Sequence, residues 1–353
     1  MKTCKTNLTS CKTGAIPITR ILPLFSIIMA TMLLILTGCE GLESDLNVDS
    51  SKVSTENSSN PMTNLEESRP VSEKCLTIGQ EITDRNNVYE AAFIAKDVDL
   101  MYNYLWTPTY FQLGHYYDAD RDKLLEEITQ LFTVREGGLY SLDLESYDRF
   151  VHDNVVYDIG AYDNTGVASG VEFAIKGYYL MRWEKGSDGI WRVDRVVAGD
   201  REPEVEISRT TDSGPVLCQK KRGNLESKDE TSKEITKRQE AYLEALISSN
   251  AYNAYKFYTK DFRNVSPGLE VDRDGLDEYY RQLFATGEIV SYNINLYDRF
   301  VHGNVVYDMG KSELTTVING VQSMIRYNYA VRWEKGHDGE WRIDRILNTP
   351  PVN

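Results

Sequence analysis

The stretch Tyr147–Gly160, YDRFVHDNVVYDIG, returns as Tyr297–Gly310, YDRFVHGNVVYDMG, with twelve of fourteen positions unchanged at an offset of 150 residues. The duplication extends in both directions. RWEKGSDGIWRVDR (Arg182–Arg195) recurs as RWEKGHDGEWRIDR (Arg332–Arg345), again at offset 150. Upstream, DRDKLLEEITQLF (Asp120–Phe132) matches DRDGLDEYYRQLF (Asp272–Phe284) at 152, and EITDR (Glu81–Arg85) matches EITKR (Glu234–Arg238) at 153. A drifting offset means small insertions in loops. A period near 150 residues is too long for a solenoid unit, so it predicts two complete copies of one domain.

Within each copy the pattern predicts helices first and strands after. Apolar residues at helical spacing (Ile235, Tyr242, Leu246, Ile247) mark a first helix over about Glu234–Ser249, and Glu81–Lys96 is its twin. A short helix is expected near Val98–Leu105 and Ala251–Tyr258. A third helix starts at Asp120 and Asp272, plausible N-caps. Four Val-, Ile- and Tyr-rich strands follow, with VHDN and VHGN at one turn and GSDG and GHDG at the last. This is an α+β layout.

The chain has 353 residues and a net charge of −15. Its first 38 residues hold four basic and no acidic side chains, so the remainder is more acidic still. Such a chain is repelled by phosphate backbones, and nucleic acid is excluded as a partner class. Four histidines without HxxxH, HExxH or CxxC spacing predict no metal site and no cofactor.

The N-terminus reads as an export signal over 1–38: a basic region to Arg20, then the apolar run ILPLFSIIMATMLLIL. Leu36-Thr37-Gly38-Cys39 resembles the bacterial lipobox. The resemblance implies lipid attachment at Cys39, a membrane anchor, and an extracytoplasmic location on the periplasmic side or cell surface. Residues 39–74 are rich in Ser, Asn and Glu and read as a flexible tether. The domains are then 75–205 and 229–353, with a polar, Gly/Pro-punctuated linker over 206–228. Setting Cys39 and the signal aside leaves Cys75 and Cys218. In an oxidising compartment they are candidates for a disulfide, with two unrelated thiols as the alternative.

Helices followed by a meander ending in RWEKG-x-DG-x-WR-[VI]-D resemble the nuclear transport factor 2-like fold in its SnoaL-like polyketide cyclase branch, over about 75–200 and 229–350. The resemblance implies two cone-shaped domains, each with a curved antiparallel sheet wrapped around helices and a pocket. In the ketosteroid isomerases of this fold, a helix-one tyrosine stands eight residues before an acid. Tyr89 and Tyr242 fill the tyrosine position, before Asp97 and Asn250. The base position falls on Leu113 and Ser266, neither of which takes a proton at neutral pH. The second oxyanion position falls near Tyr179 and Tyr329. Donors without a base suit holding a ligand oxygen better than isomerisation.

Strand alternation adds Tyr157, Tyr307, Trp183 and Trp333 to the pocket candidates, on a helix-covered face. Arg149 with Asp158 and Arg299 with Asp308 fall on the other face as structural ion pairs, and His152 and His302 are expected at an exposed turn. The leading reading is a non-catalytic anchored protein that binds a small apolar or amphipathic ligand, or a protein partner. The rivals are an isomerase, cyclase or dehydratase using Asp97, Asp99 or Glu278, and a purely structural pseudo-dimer with filled pockets. Single domains of this fold often pair by their sheets, so the two copies are expected to pack against each other within one chain.

Overall fold

The computed structural model describes residues 73–114, 118–133, 137–200, 216–218 and 228–349. The lipobox cysteine Cys39, the signal and most of the tether lie outside them. Copy one runs α1 (Glu73–Ala95), α2 (Val98–Leu100) continuing into a π-helical turn (Met101–Leu105), β1 (Trp106–Leu113), β2 (Asp118–Asp120), α3 (Arg121–Thr133), β3 (Gly138–His152), β4 (Val155–Ala168), β5 (Val171–Lys185) and β6 (Trp191–Asp200). A short strand, β7 (Val216–Cys218), follows in the linker. Copy two repeats the order: α4 (Lys228–Ile247), α5 (Ala251–Tyr255), β8 (Tyr258–Ser266), β9 (Leu269–Asp272), α6 (Arg273–Thr286), β10 (Gly287–His302), β11 (Val305–Ile318), β12 (Val321–Lys335) and β13 (Trp341–Thr349).

The fold is α+β, as the residue pattern predicts, with three differences in detail. Helix one begins earlier, at Glu73 and Lys228, and a strand pair precedes the third helix in each copy. The sheets are mixed rather than antiparallel throughout. Their orders are β2-β1-β6-β5-β4-β3-β7 and β10-β11-β12-β13-β8-β9, with β1 parallel to β6 and β8 parallel to β13. Four aspartate or asparagine caps set the helix starts. The Asp97, Asn250, Asp120 and Asp272 side chains each accept the backbone N–H three residues on, at 2.9–3.0 Å.

The quoted repeat is a hairpin. Its turn residues are Asp153-Asn154 and Gly303-Asn304, one place later than two-residue loops at His152-Asp153 and His302-Gly303, which would set Arg149 across from Val156. The first turn residue takes a left-handed φ, 52° at Asp153 and 64° at Gly303, which glycine adopts freely and aspartate tolerates. The shift places Arg149 directly opposite Asp158, and Arg299 opposite Asp308. The closing glycine of the repeat is required by space. A Cβ on Gly160 would lie 2.0 Å from the Glu145 carbonyl oxygen and 2.7 Å from the Tyr179 hydroxyl.

The two RWEKG motifs tie helix one to the last hairpin. Lys185 Nζ and Trp191 Nε1 both donate to Glu81 Oε2, at 2.8 and 2.6 Å. Lys335 and Trp341 do the same to Glu234, at 3.1 and 2.8 Å. In the turn, Arg192 grips Asp188 through two nitrogens, and Arg342 grips Asp338 likewise. These contacts explain why EIT and WEKG-x-DG-x-WR recur together.

Cys75, on α1, is disulfide-bonded. The backbone of β7, which ends at Cys218, runs beside Arg149–Val151 of β3 and packs near α1. The β7 side chains lie outside the described residues. Peptide mapping of the non-reduced chain is expected to recover a Cys75–Cys218 cross-link; two free thiols, or another pairing, would contradict that assignment.

Candidate functional site

Alternation along the repeat divides its residues between two environments. Val151, Val156, Tyr179 and Trp183 join the core beneath α1, with Tyr89; Tyr242, Val306 and Trp333 join its twin. Arg149 and Asp158 share this helix-covered side. Arg149 Nε donates to Asp158 Oδ1 at 3.0 Å, and its Nη1 reaches the Gly79 carbonyl on α1 at 2.8 Å. Arg299 grips Asp308 through Nε and Nη2, at 2.6 and 2.7 Å, and also bonds the Ser232 carbonyl. The charged pairs therefore lie inside the cones, with the carboxylates buried.

Tyr157 and Tyr307 are on the opposite face, which corrects their placement as pocket residues. They stack on each other at 3.5 Å between centroids, with planes 5° apart. His152 and His302 stack beside them at 4.5 Å. Each histidine Nε2 meets the other copy's tyrosine: His152 with Tyr307 at 3.0 Å, His302 with Tyr157 at 2.9 Å. These histidines are thus half-buried between the copies, not exposed turn residues. Burial, then the neighbouring His302 and Arg332, push the His152 pKa down to about 2.

The rest of the repeat completes a self-complementary surface. Asp148 accepts from Arg345 Nε at 2.8 Å and Asp298 from Arg195 Nε at 2.7 Å, each pair crossing between copies. Phe150 lies under the Arg332 guanidinium at 4.3 Å, and Phe300 under Arg182 at 4.4 Å. Leu113, Ile159, Leu180, Val265, Met309 and Leu347 fill the space around them. Because each copy supplies the other's partner groups, a change in one half of the repeat strands its counterpart. That is a physical reason for one chain to carry the same fourteen residues twice.

The cone interiors differ between copies. In copy one, Asp158 also accepts from Asn86 Nδ2 at 3.0 Å and Ser146 Oγ at 3.0 Å, with the Tyr179 hydroxyl at 3.4 Å. Trp106, Ile128 and Leu142 are buried in the surrounding core. In copy two the corresponding positions are Gln239, Leu296, Tyr258, Tyr280 and Tyr292. The Tyr242 hydroxyl lies 2.8 Å from that of Tyr258 and 3.4 Å from that of Tyr280. Burial raises all three pKa values well above the ordinary one, so these are neutral hydroxyls.

Gln239, Tyr242, Tyr292, Asp308, Tyr329 and Trp333 enclose a cavity of about 20 Å³, room for one water-sized group. The Tyr329 hydroxyl is buried there without a hydrogen-bond partner of normal geometry, beside Asp308 and Gln239. Burial raises the Asp308 pKa, against the opposing effect of Arg299. Alignment without gaps misses this asymmetry, because it looks for a base at Leu113 and Ser266. Leu113 lies between the copies, and Ser266 Oγ bonds Asn264 at 3.1 Å. The other candidate acids face outward: Asp97 caps α2, Asp99 is exposed, and Glu278 accepts from Gln282. A surface groove of about 410 Å³ is larger but lies outside the cones, between Glu73, Glu81, Asp153, Lys185 and Trp191, with charges of both signs. Among the described residues, no group of three His, Cys, Asp or Glu side chains is placed to hold a metal ion.

No protein-family model matches the chain, and no curated protein does. Among solved structures it is similar to a conserved protein from Planctomyces limnophilus, at 16% identity over 35% of this chain and 99% of that one, TM-score 0.33. It is similar to a ketosteroid isomerase-like protein from Erwinia carotovora atroseptica, at 21% identity over 33% and 94%, TM-score 0.30. A third likeness is to an NTF2-like protein from Cytophaga hutchinsonii, at 13% identity over 35% and 99%, TM-score 0.31. Each spans about one copy and concerns the fold alone. By its own element order and sheet topology, the chain is two tandem α+β domains, an arrangement that agrees with the nuclear transport factor 2-like fold its sequence resembles.

Proposed function

We propose that the chain is a lipid-anchored extracytoplasmic binding protein in which copy two holds a small ligand through an oxygen atom and copy one serves as its structural partner. The observation that carries this reading is the buried Tyr329 hydroxyl in the copy-two cavity, which has only a poorly aligned contact with Gln239 and lies beside Asp308. A buried donor left wholly without an acceptor costs about 1–3 kcal/mol, and a well-placed ligand oxygen would recover the part that the poor Gln239 contact leaves unmet. The cavity now admits only a water-sized group, so a larger ligand has to displace the apolar wall of Ile294, Val331 and Ile346. In copy one the matching carboxylate is already saturated by Arg149, Asn86 and Ser146.

The reading is non-catalytic because each interior carboxylate is held by an arginine. Acid–base catalysis by Asp308 is the second reading, favoured by the upward pull of burial on its pKa. Native mass spectrometry of the full chain separates the two. A bound small molecule recovered unchanged supports binding; conversion of that molecule on incubation, lost in Asp308→Asn, supports the enzyme. The anchor has its own test. Cys39→Ala is expected to abolish metabolic labelling with a clickable fatty acid, and label persisting on that variant would remove the anchor from the proposal.

A further inference from the structure

The two sheets differ at one edge. In copy one the outer strand β3 is covered by β7, which runs parallel to it with Val216, Leu217 and Cys218 beside Arg149, Phe150 and Val151. In copy two the equivalent strand β10 pairs only with β11 among the described residues, so Arg299–Val301 form a sheet edge. Exposure follows the difference. Phe150 and Val151 are buried, whereas Phe300 and Val301 are partly exposed; the side chains of Arg149 and Arg299 are equally covered, at 10% and 9% exposure. Just before them, Leu296 and Tyr297 are 38% and 41% exposed.

Edge strands are normally guarded by proline, lysine, a bulge or an inward charge. β10 runs sixteen residues with no proline or lysine. Its charges near this edge are engaged elsewhere: Asp298 bonds Arg195, and Arg299 bonds Asp308. It has a bulge between Leu296 and Asp298, but β3 has the same bulge between Ser146 and Asp148 and still accepts β7 two residues on. The bulge therefore does not block a third strand.

We infer that Arg299–Val301 of β10 is a docking edge for an extended segment of a partner protein, which adds to the sheet as a parallel strand with apolar residues like those of β7. Backbone hydrogen bonds supply the affinity of such an addition, and alternate side chains supply its selectivity. The occupant's chemistry is defined by the internal example: an uncharged Val-Leu-small triplet in extended form.

The test uses the full chain with its disulfide intact and a synthetic peptide of residues 212–221 carrying Cys218→Ser. Hydrogen exchange is followed at the amides of Arg299 and Val301, which face the open edge while that of Phe300 faces β11, and, as an internal control, of Arg149 and Val151. The β10 amides are expected to exchange fast without peptide and about tenfold slower at saturation, with β3 unchanged. A peptide carrying both Val216→Pro and Leu217→Pro is expected to give no protection, since adjacent residues donate to opposite sides and one lost N–H must face β10. Protection of Arg299 and Val301 before peptide is added would overturn the inference, because the chain's own tether or a second copy then covers the edge. So would the absence of protection at about 1 mM peptide, an affinity already near the weak limit of specific binding. Protection at β3 alone would overturn it too.

Discussion

Replacing Arg299 with alanine is expected to cost about 3–5 kcal/mol of stability, because it leaves Asp308 buried without its partner. The variant should also acquire an inverted pH dependence. Burial already raises the Asp308 pKa, and losing Arg299 raises it further. An acid with a raised folded-state pKa binds its proton more readily folded than unfolded, so its effect on stability improves as pH falls. Urea denaturation from pH 8 to pH 5 should therefore show the Arg299→Ala deficit shrinking. A deficit that stays constant, or below about 1 kcal/mol, would mean Asp308 is not the buried carboxylate described.

The second large effect comes from the stacked histidines. His152 is held near pKa 2 in the folded chain, against 6.5 ordinarily. A lowered basic group makes the unfolded state the better proton acceptor, so stability is intact above about pH 6.5 and falls below it. At pH 5 the loss is about 2 kcal/mol. The groups facing His152 are His302, Tyr157, Tyr307 and the Arg332 guanidinium, and none supplies an acid to hold a protonated ring. His152→Phe keeps the ring stack and removes the titration. Its stability relative to the parent should improve as pH drops from 7.5 to 5. Parallel curves for the two proteins would place His152 in solvent.

Much of this molecule is legible in its residues, and the limits have physical causes. The repeats predict two copies, and the helix-then-strand order with its capping aspartates predicts the α+β class. Alternation correctly separates Arg149 and Asp158 from Tyr157, but it cannot say which side faces the helices. Aromatics are assigned inward and charges outward because most sheets have one wet face. Here both faces are buried, one under helices and one against the other copy, so Tyr157 and Tyr307 stack between copies and the ion pairs lie within the cones. The copy-two cavity was hidden for another reason. Its lining carries Gln239 where copy one has Asn86 and Tyr292 where copy one has Leu142, positions far apart in sequence whose convergence only the fold reveals.

The two copies are proposed to have separate roles, ligand binding in copy two and structural support in copy one. Native mass spectrometry of the parent chain, Tyr329→Phe and Tyr179→Phe, each purified from its own membrane, compares them most directly. A co-purifying small molecule is expected on the parent and on Tyr179→Phe, with occupancy at least about tenfold lower on Tyr329→Phe, the loss of roughly one hydrogen bond to a buried group. Equal occupancy in all three proteins, or none on the parent, would contradict it.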